Sequence, residues 1–306
     1  MTEEKRKKRY AFRPITKFSS IAPFFCLTIR PQTTHYAWTY IFTIVKDFFS
    51  VQILHVLHIK RRPVINVDTE IDDKIPFKPK YVSTYMNFVK YFMRPLDMMR
   101  RRLGFKKASP YLCLYLKFLT NIYKNAASIY RFCLTTTSRP KYFKTRKFRA
   151  IHIFDKHLQC VPSIHVAIAA GTYAWFKQFY KTGIVSQQEA DFHLKEIQTE
   201  ATAIVESVLF IKQHSVNCVP LALYMLSSTM SKSFFSANDV SDFIEGLFVD
   251  NPYISDEVRS EIIDHFYYMY DRALLESKFS SDWQNCIRHW LTDYATQTGQ
   301  KIPVSQ

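Results

Sequence analysis

Five glycines in 306 residues restrict this chain more than any other feature. Glycine is the residue that enters left-handed turns without steric penalty, so a chain this poor in it makes few tight turns and runs instead in long helices. The 26 Phe, 19 Tyr and 4 Trp supply large apolar faces that helices pack along one another or present to a membrane. With 47% hydrophobic residues, the composition is that of a folded chain and not of a disordered tail. The expected fold class is all-α, a multi-helix membrane bundle with a small C-terminal helical appendix.

Charge divides the sequence. Residues 231–306 hold 12 acids and 6 bases, whereas residues 1–230 hold 36 bases and 14 acids. A basic body attracts nucleic acid, an anionic membrane surface or phosphorylated substrates, and charge alone does not choose among them. The composition suggests a basic N-terminal segment (1–34), a helical bundle (35–230) and an acidic helical C-terminal region (231–306).

Cys26, Cys113, Cys133, Cys160, Cys218 and Cys286 are scattered, without a C-x-x-C pair, so neither a disulfide framework nor a zinc knuckle is indicated. Lys5 to Arg9 followed by an apolar stretch superficially resembles a signal peptide. Pro23 breaks that stretch and no small-residue cleavage site follows, so the segment is expected to be retained.

Two charge-free windows, 157–176 and 213–231, are the best candidate membrane spans. Weaker ones at 36–57 and 111–134 are interrupted by Lys46 and Asp47 and by Lys117 and Lys124. Basic connections at 60–63, 94–107 and 139–149 would then face the cytoplasm or a phosphate. The expectation is an integral, multi-pass membrane protein with four to six spans. Beyond 231, Ser255, Asp256 and Glu257 start a helix whose Val258, Ile262, Phe266, Tyr270 and Leu274 recur every fourth residue. Flanking helices are expected around 239–249 and 282–294.

Three local sequences carry chemistry. Cys160-Val161-Pro162-Ser163-Ile164-His165 describes a helix N-terminus, where free N–H groups and the helix dipole hold anions. Ser163 is an extra donor there and His165 a proton carrier. Ser207 to His214 sets Lys212, Gln213 and His214 within an apolar helix, where polar groups are kept for function and Lys212 can complement a phosphate. Ser138-Arg139-Pro140 presents a guanidinium whose fork fits phosphate oxygens. Metal sets drawn from His55 and His58, or from His152, His157 and Cys160, match no zinc spacing. A Gly-rich phosphate loop is lacking as well.

Arg-Pro, then Pro-Ser-x-His, then Ser-x4-Lys-Gln-His, in this order, is similar to the type-2 phosphatidic acid phosphatase superfamily, and most of all to its inositol phosphorylceramide synthase-like branch. Asp72-Asp73-Lys74-Ile75-Pro76-Phe77-Lys78-Pro79-Lys80-Tyr81, leading to Tyr85, resembles the entry to an early membrane helix of that branch. The resemblance spans about residues 35–230. It implies His214 as nucleophile, His165 as acid and base, and Ser163 and Arg139 as phosphate ligands, with Lys212 beside them. Phosphomonoester hydrolysis or head-group transfer would pass through a phosphohistidine on a phospholipid or lipid phosphate at a membrane. No metal, cofactor or nucleic acid is implied, and a protein partner for the C-terminal region is left open.

The departures are specific. The family's Asp four residues after the nucleophile is Cys218 here, the Arg of its Ser-Arg pair is Val208, and the Lys seven residues before Arg139 is Phe132. Loss of the orienting carboxylate costs about 10^4-fold in a serine-protease triad. The alternative expectation is therefore a catalytically impaired relative that binds phospholipid or a protein partner.

Overall fold

Small hydroxyl and carboxylate side chains mark where helices begin. Thr2, Thr145, Ser163, Ser186, Ser236, Ser255 and Asp282 each accept a backbone N–H from the first turn that follows, filling a donor that the helix itself leaves open. The computed structural model describes residues 2–301, apart from the Phe154 side chain. Its first part runs through α1 (Glu3–Tyr10), α2 (Ala22–Ile29), α3 (Thr34–Thr43), a π-helical turn (Ile44–Phe49) and α4 (Ser50–Val56). Strand β1 (Val64–Asn66), α5 (Glu70–Lys74), α6 (Val82–Met86), α7 (Phe88–Leu103) and α8 (Phe105–Tyr130) follow. Strand β2 (Leu134–Thr136) leads to α9 (Arg146–Phe154), α10 (Ile164–Lys181), α11 (Gln187–Phe210) and α12 (Cys218–Thr229). The chain closes with α13 (Ala237–Glu245), α14 (Asp256–Ser277) and α15 (Trp283–Gln297).

The protein is mostly helical, as the glycine count leads one to expect. α10 lies at the centre, packed on α7, α8, α11 and α12, with Val166 to Ala170 wholly buried. At Gly171 a Cβ would stand 2.8 Å from the Phe118 ring, so the missing side chain lets α8 approach. The two short strands pair in parallel, Val64 with Leu134 and Asn66 with Thr136. A bridge from Thr135 to Gln159 ties that ribbon to the segment before α10. Strands of three residues carry no readable alternation and were not expected.

The multi-pass membrane placement is corrected: among the described residues no helix is long and apolar enough to cross a bilayer. Each window fails for its own reason. Residues 157–163 are irregular and only the rest of that window is helical. α12 has 12 residues, about 18 Å at 1.5 Å per residue against about 30 Å of hydrocarbon. In the 36–57 stretch the helix continues through a π-helical turn that carries Lys46 and Asp47, with Asp47 paired to Arg131. α8 is long enough, yet Leu114, Lys117, Asn121 and Lys124 recur along one exposed face, the stripe of a helix with a polar side.

Beyond 231 the three expected helices form, although α13 ends at Glu245, four residues short of the expected 249, where a turn begins at Gly246. Ser255 caps α14, and Ile262, Phe266 and Tyr270 are buried. α14 packs on α12, and α15 on α12 and α8, so Ile262, Phe266 and Trp290 belong to the same apolar core as the bundle.

Candidate active site

His214 owes its position to the way α11 ends. Gln213 N–H bonds the Val208 carbonyl at 2.9 Å and Lys212 N–H the Leu209 carbonyl at 3.0 Å, with Lys212 at φ 55°. These are the two bonds of a Schellman cap with Lys212 in the left-handed position. The sequence reading that kept Lys212, Gln213 and His214 inside a helix is therefore corrected: the cap throws Gln213 and His214 into the turn before α12. That turn is braced from α5. Asp72 accepts from Ser215 Oγ at 2.6 Å and Val216 N at 2.8 Å, and the Lys212 ammonium donates to the Asp72 carbonyl. Burial raises the Asp72 carboxyl to about 6, against the pull of these hydrogen bonds.

Ser163 caps α10, its Oγ accepting from Val166 N at 3.3 Å, which sets His165 in the first turn. The two histidines meet there. His214 Nε2 lies 3.3 Å from His165 Nδ1 and 3.3 Å from Ser163 Oγ, and His214 Nδ1 lies 3.1 Å from the Cys160 carbonyl. A carbonyl can only accept, so Nδ1 carries the proton and Nε2 presents its lone pair toward Ser163 and His165. The Cys160 carbonyl thus orients the imidazole, the role the resemblance gives to an Asp at position 218. Cys218 itself is fully buried in the first turn of α12, and burial raises its thiol well above the usual range.

Asp155 joins the group from the loop after α9. Tyr85 Oη donates to its Oδ2 at 3.1 Å and His157 N to its Oδ1 at 2.8 Å. Burial alone would raise this carboxyl, but His157, His165 and His214 hold it below the ordinary range. Burial pushes both His157 and His214 down to about 4, the pull of Asp155 notwithstanding. It lowers His165 as well, with His214 adding to the effect. His165 packs against the rings of Tyr85 and Phe88, ring centroids 4.7 and 4.5 Å away. His157 holds φ 57°, a strained backbone of the kind found at functional sites, with its ring 2.7 Å from Thr137 Oγ1.

Gln213 supplies an open donor. Its Oε1 accepts from Arg139 Nη1 at 3.0 Å, and because a guanidinium only donates, the amide orientation is fixed. Its Nε2 is buried without a partner beside a cavity of about 20 Å³. Phe48, Asp155, His157, His165, Gln213 and His214 are among its walls. That volume suits one water molecule. Phe48, from the π-helical turn, covers one side, and Gln159 fixes the cover by donating to the Phe48 carbonyl at 3.2 Å and bonding Gln52.

Of the residues singled out in the sequence, His214, His165 and Ser163 meet directly, and Arg139 reaches them through Gln213. Lys212 does not join them, being turned toward α5. Asp155, His157, Tyr85 and the Gln213 amide complete the site. Gln213 had drawn notice in the polar cluster beside His214, Tyr85 at the end of the Asp72 segment and His157 in a rejected metal set; Asp155 had not. Among the described residues no group of three or more His, Cys, Asp or Glu side chains is placed to hold a metal ion. Comparison with protein-family models, curated proteins and solved structures finds no match to this chain.

Proposed function

We propose that this protein transfers a phosphoryl group from a phosphomonoester through a phosphohistidine on His214, as a divergent relative of the type-2 phosphatidic acid phosphatases. The observation that carries the reading is the His214 imidazole, held by the Cys160 carbonyl at Nδ1 with its Nε2 3.3 Å from His165. Nε2 attacks phosphorus, the bond to the leaving oxygen breaks, and His165 gives that oxygen its proton. Water then attacks the phosphohistidine, His165 takes a proton from it, and the N–P bond breaks. Arg139, the free Gln213 amide and Ser163 hold the phosphoryl oxygens as charge builds on them. A phosphate dianion in the cavity raises the His165 pKa, arming the acid only when substrate is present. The resemblance adds that the ester is a lipid phosphate, and that an alcohol can replace water as acceptor.

One observation favours a second reading. A cavity of about 20 Å³ is too small for a phosphoryl group, so catalysis requires the Phe48 cover to move. A cover that stays shut leaves a non-catalytic phospholipid-binding relative. Phosphate release from a panel of lipid and water-soluble phosphomonoesters separates the two. The proposed chemistry gives release that His214→Ala and His165→Ala both abolish. A folded protein that binds phospholipid and releases nothing supports the second reading and overturns the first.

A further inference from the structure

The outward face of the segment from α3 to α4 is apolar and unpartnered. Trp38, Phe42, Val45, Phe49, Ile53 and Val56 follow one another at steps of three and four residues and are 42 to 64% exposed. That spacing is one stripe of a continuous helical rod. The opposite side, with Ala37, Tyr40 and Val51, is buried. α2, packed on α3, extends the apolar surface with Phe25 and Ile29, 67 and 75% exposed. Arg30, Lys46, Lys60 and Arg61 are exposed in the same stretch of chain. Asp47 is the one carboxylate between Phe18 and Val67, and it is buried against Arg131.

We infer that this face lies flat on an anionic lipid surface, with the stripe in the interface and the cations against the head groups. An exposed apolar patch of this extent marks an interaction site, and its charge selects the occupant. A second copy joined face to face would set these cations against one another, with no exposed carboxylate of the segment to pair them. Anionic head groups supply the missing charge. A helix with one apolar and one buried side rests in the interface plane and does not cross it, and Lys46 reaches the head groups along its stem.

The same rod carries Phe48 and Gln52 on its inward side, where Phe48 covers the candidate active site and Gln52 bonds Gln159. Docking therefore places the cover of the cavity at head-group level. That last step rests on the proposed phosphoryl chemistry, whereas the docking itself does not.

Cosedimentation of the full chain with phosphatidylcholine vesicles, with and without phosphatidylserine, tests the docking. The protein should partition onto mixed vesicles at least about tenfold more strongly than onto phosphatidylcholine alone. Phe42→Glu with Ile53→Glu, both outward and exposed, should weaken partitioning about a hundredfold or more, with an unchanged circular dichroism spectrum and urea midpoint. Binding that ignores the double substitution, or no binding by folded wild type, overturns the inference. So does a concentration-dependent dimer that the same substitutions dissolve, which would assign the face to a second copy. A protein that docks but releases no phosphate leaves the docking standing and refutes only the catalytic reading.

Discussion

Asp72 is the residue through which α5 holds the His214 turn, and replacing it by Asn has a calculable pH signature. The carboxylate takes hydrogen bonds from Thr69 N, Ser215 Oγ and Val216 N at 3.0, 2.6 and 2.8 Å. Burial nevertheless raises its pKa from 3.8 to about 6. A native carboxyl titrating above its unfolded value takes up a proton on folding between those two values. Its ionised form is a burden above pH 6, and wild type gains on Asp72→Asn as the pH falls through the window. From pH 7.5 to pH 5 the gain is about 1 to 2 kcal/mol. Urea unfolding of both proteins at the two pH values measures it directly, because every other titrating group cancels in the difference. A difference that stays constant, or that shrinks as the pH falls, as for an ordinary salt-bridged Asp, would refute the assignment of a strained buried brace.

Three further outcomes follow from the same geometry. Gln213→Leu removes the acceptor of Arg139 Nη1 along with a buried donor that has no partner, so stability should change by no more than about 1 kcal/mol, while phosphate release falls about 10- to 100-fold; parallel losses would mean a purely structural Gln213. Cys218→Asp, the change that would restore the family's carboxylate, should destabilise by a few kcal/mol without improving turnover, since it buries a charge and His214 Nδ1 already has its acceptor; a stable, faster variant in a thermal melt and release assay contradicts this. Burial lowers His157 and His214 to about 4 in the fold, against about 6.5 when unfolded, so wild-type stability should fall by a few kcal/mol in all as the pH drops from 6.5 toward 4. That exceeds the opposing gain from Asp72, and unfolding that becomes harder across this range would contradict it.

What the sequence made legible was local. Ser163 before an apolar run, Ser255 before a four-residue periodicity, and the Pro-Ser-x-His segment at the start of a helix all encode their structure within one or two turns. The site's other half depends on distant segments. Asp155 and Tyr85 are 70 residues apart in sequence, and the carbonyl that orients His214 belongs to Cys160, whose side chain offers no clue. The left-handed Lys212 that ends α11 lacks the glycine that usually announces such a cap. Residues 36–57 misled because hydrophobicity counts residues without saying which way they point. One side of that rod packs on the bundle and the other is exposed, a pattern whose average is that of a poor membrane span.

The central claim is a covalent bond between phosphorus and His214 Nε2. Rapid alkaline quenching of the protein during turnover of a phosphomonoester, followed by peptide mass spectrometry, tests it most directly. An acid-labile, base-stable phosphoryl group on His214, absent from His214→Asn, is the predicted result. Sustained phosphate release with no label on His214, or with the label undiminished in His214→Asn, would contradict the account.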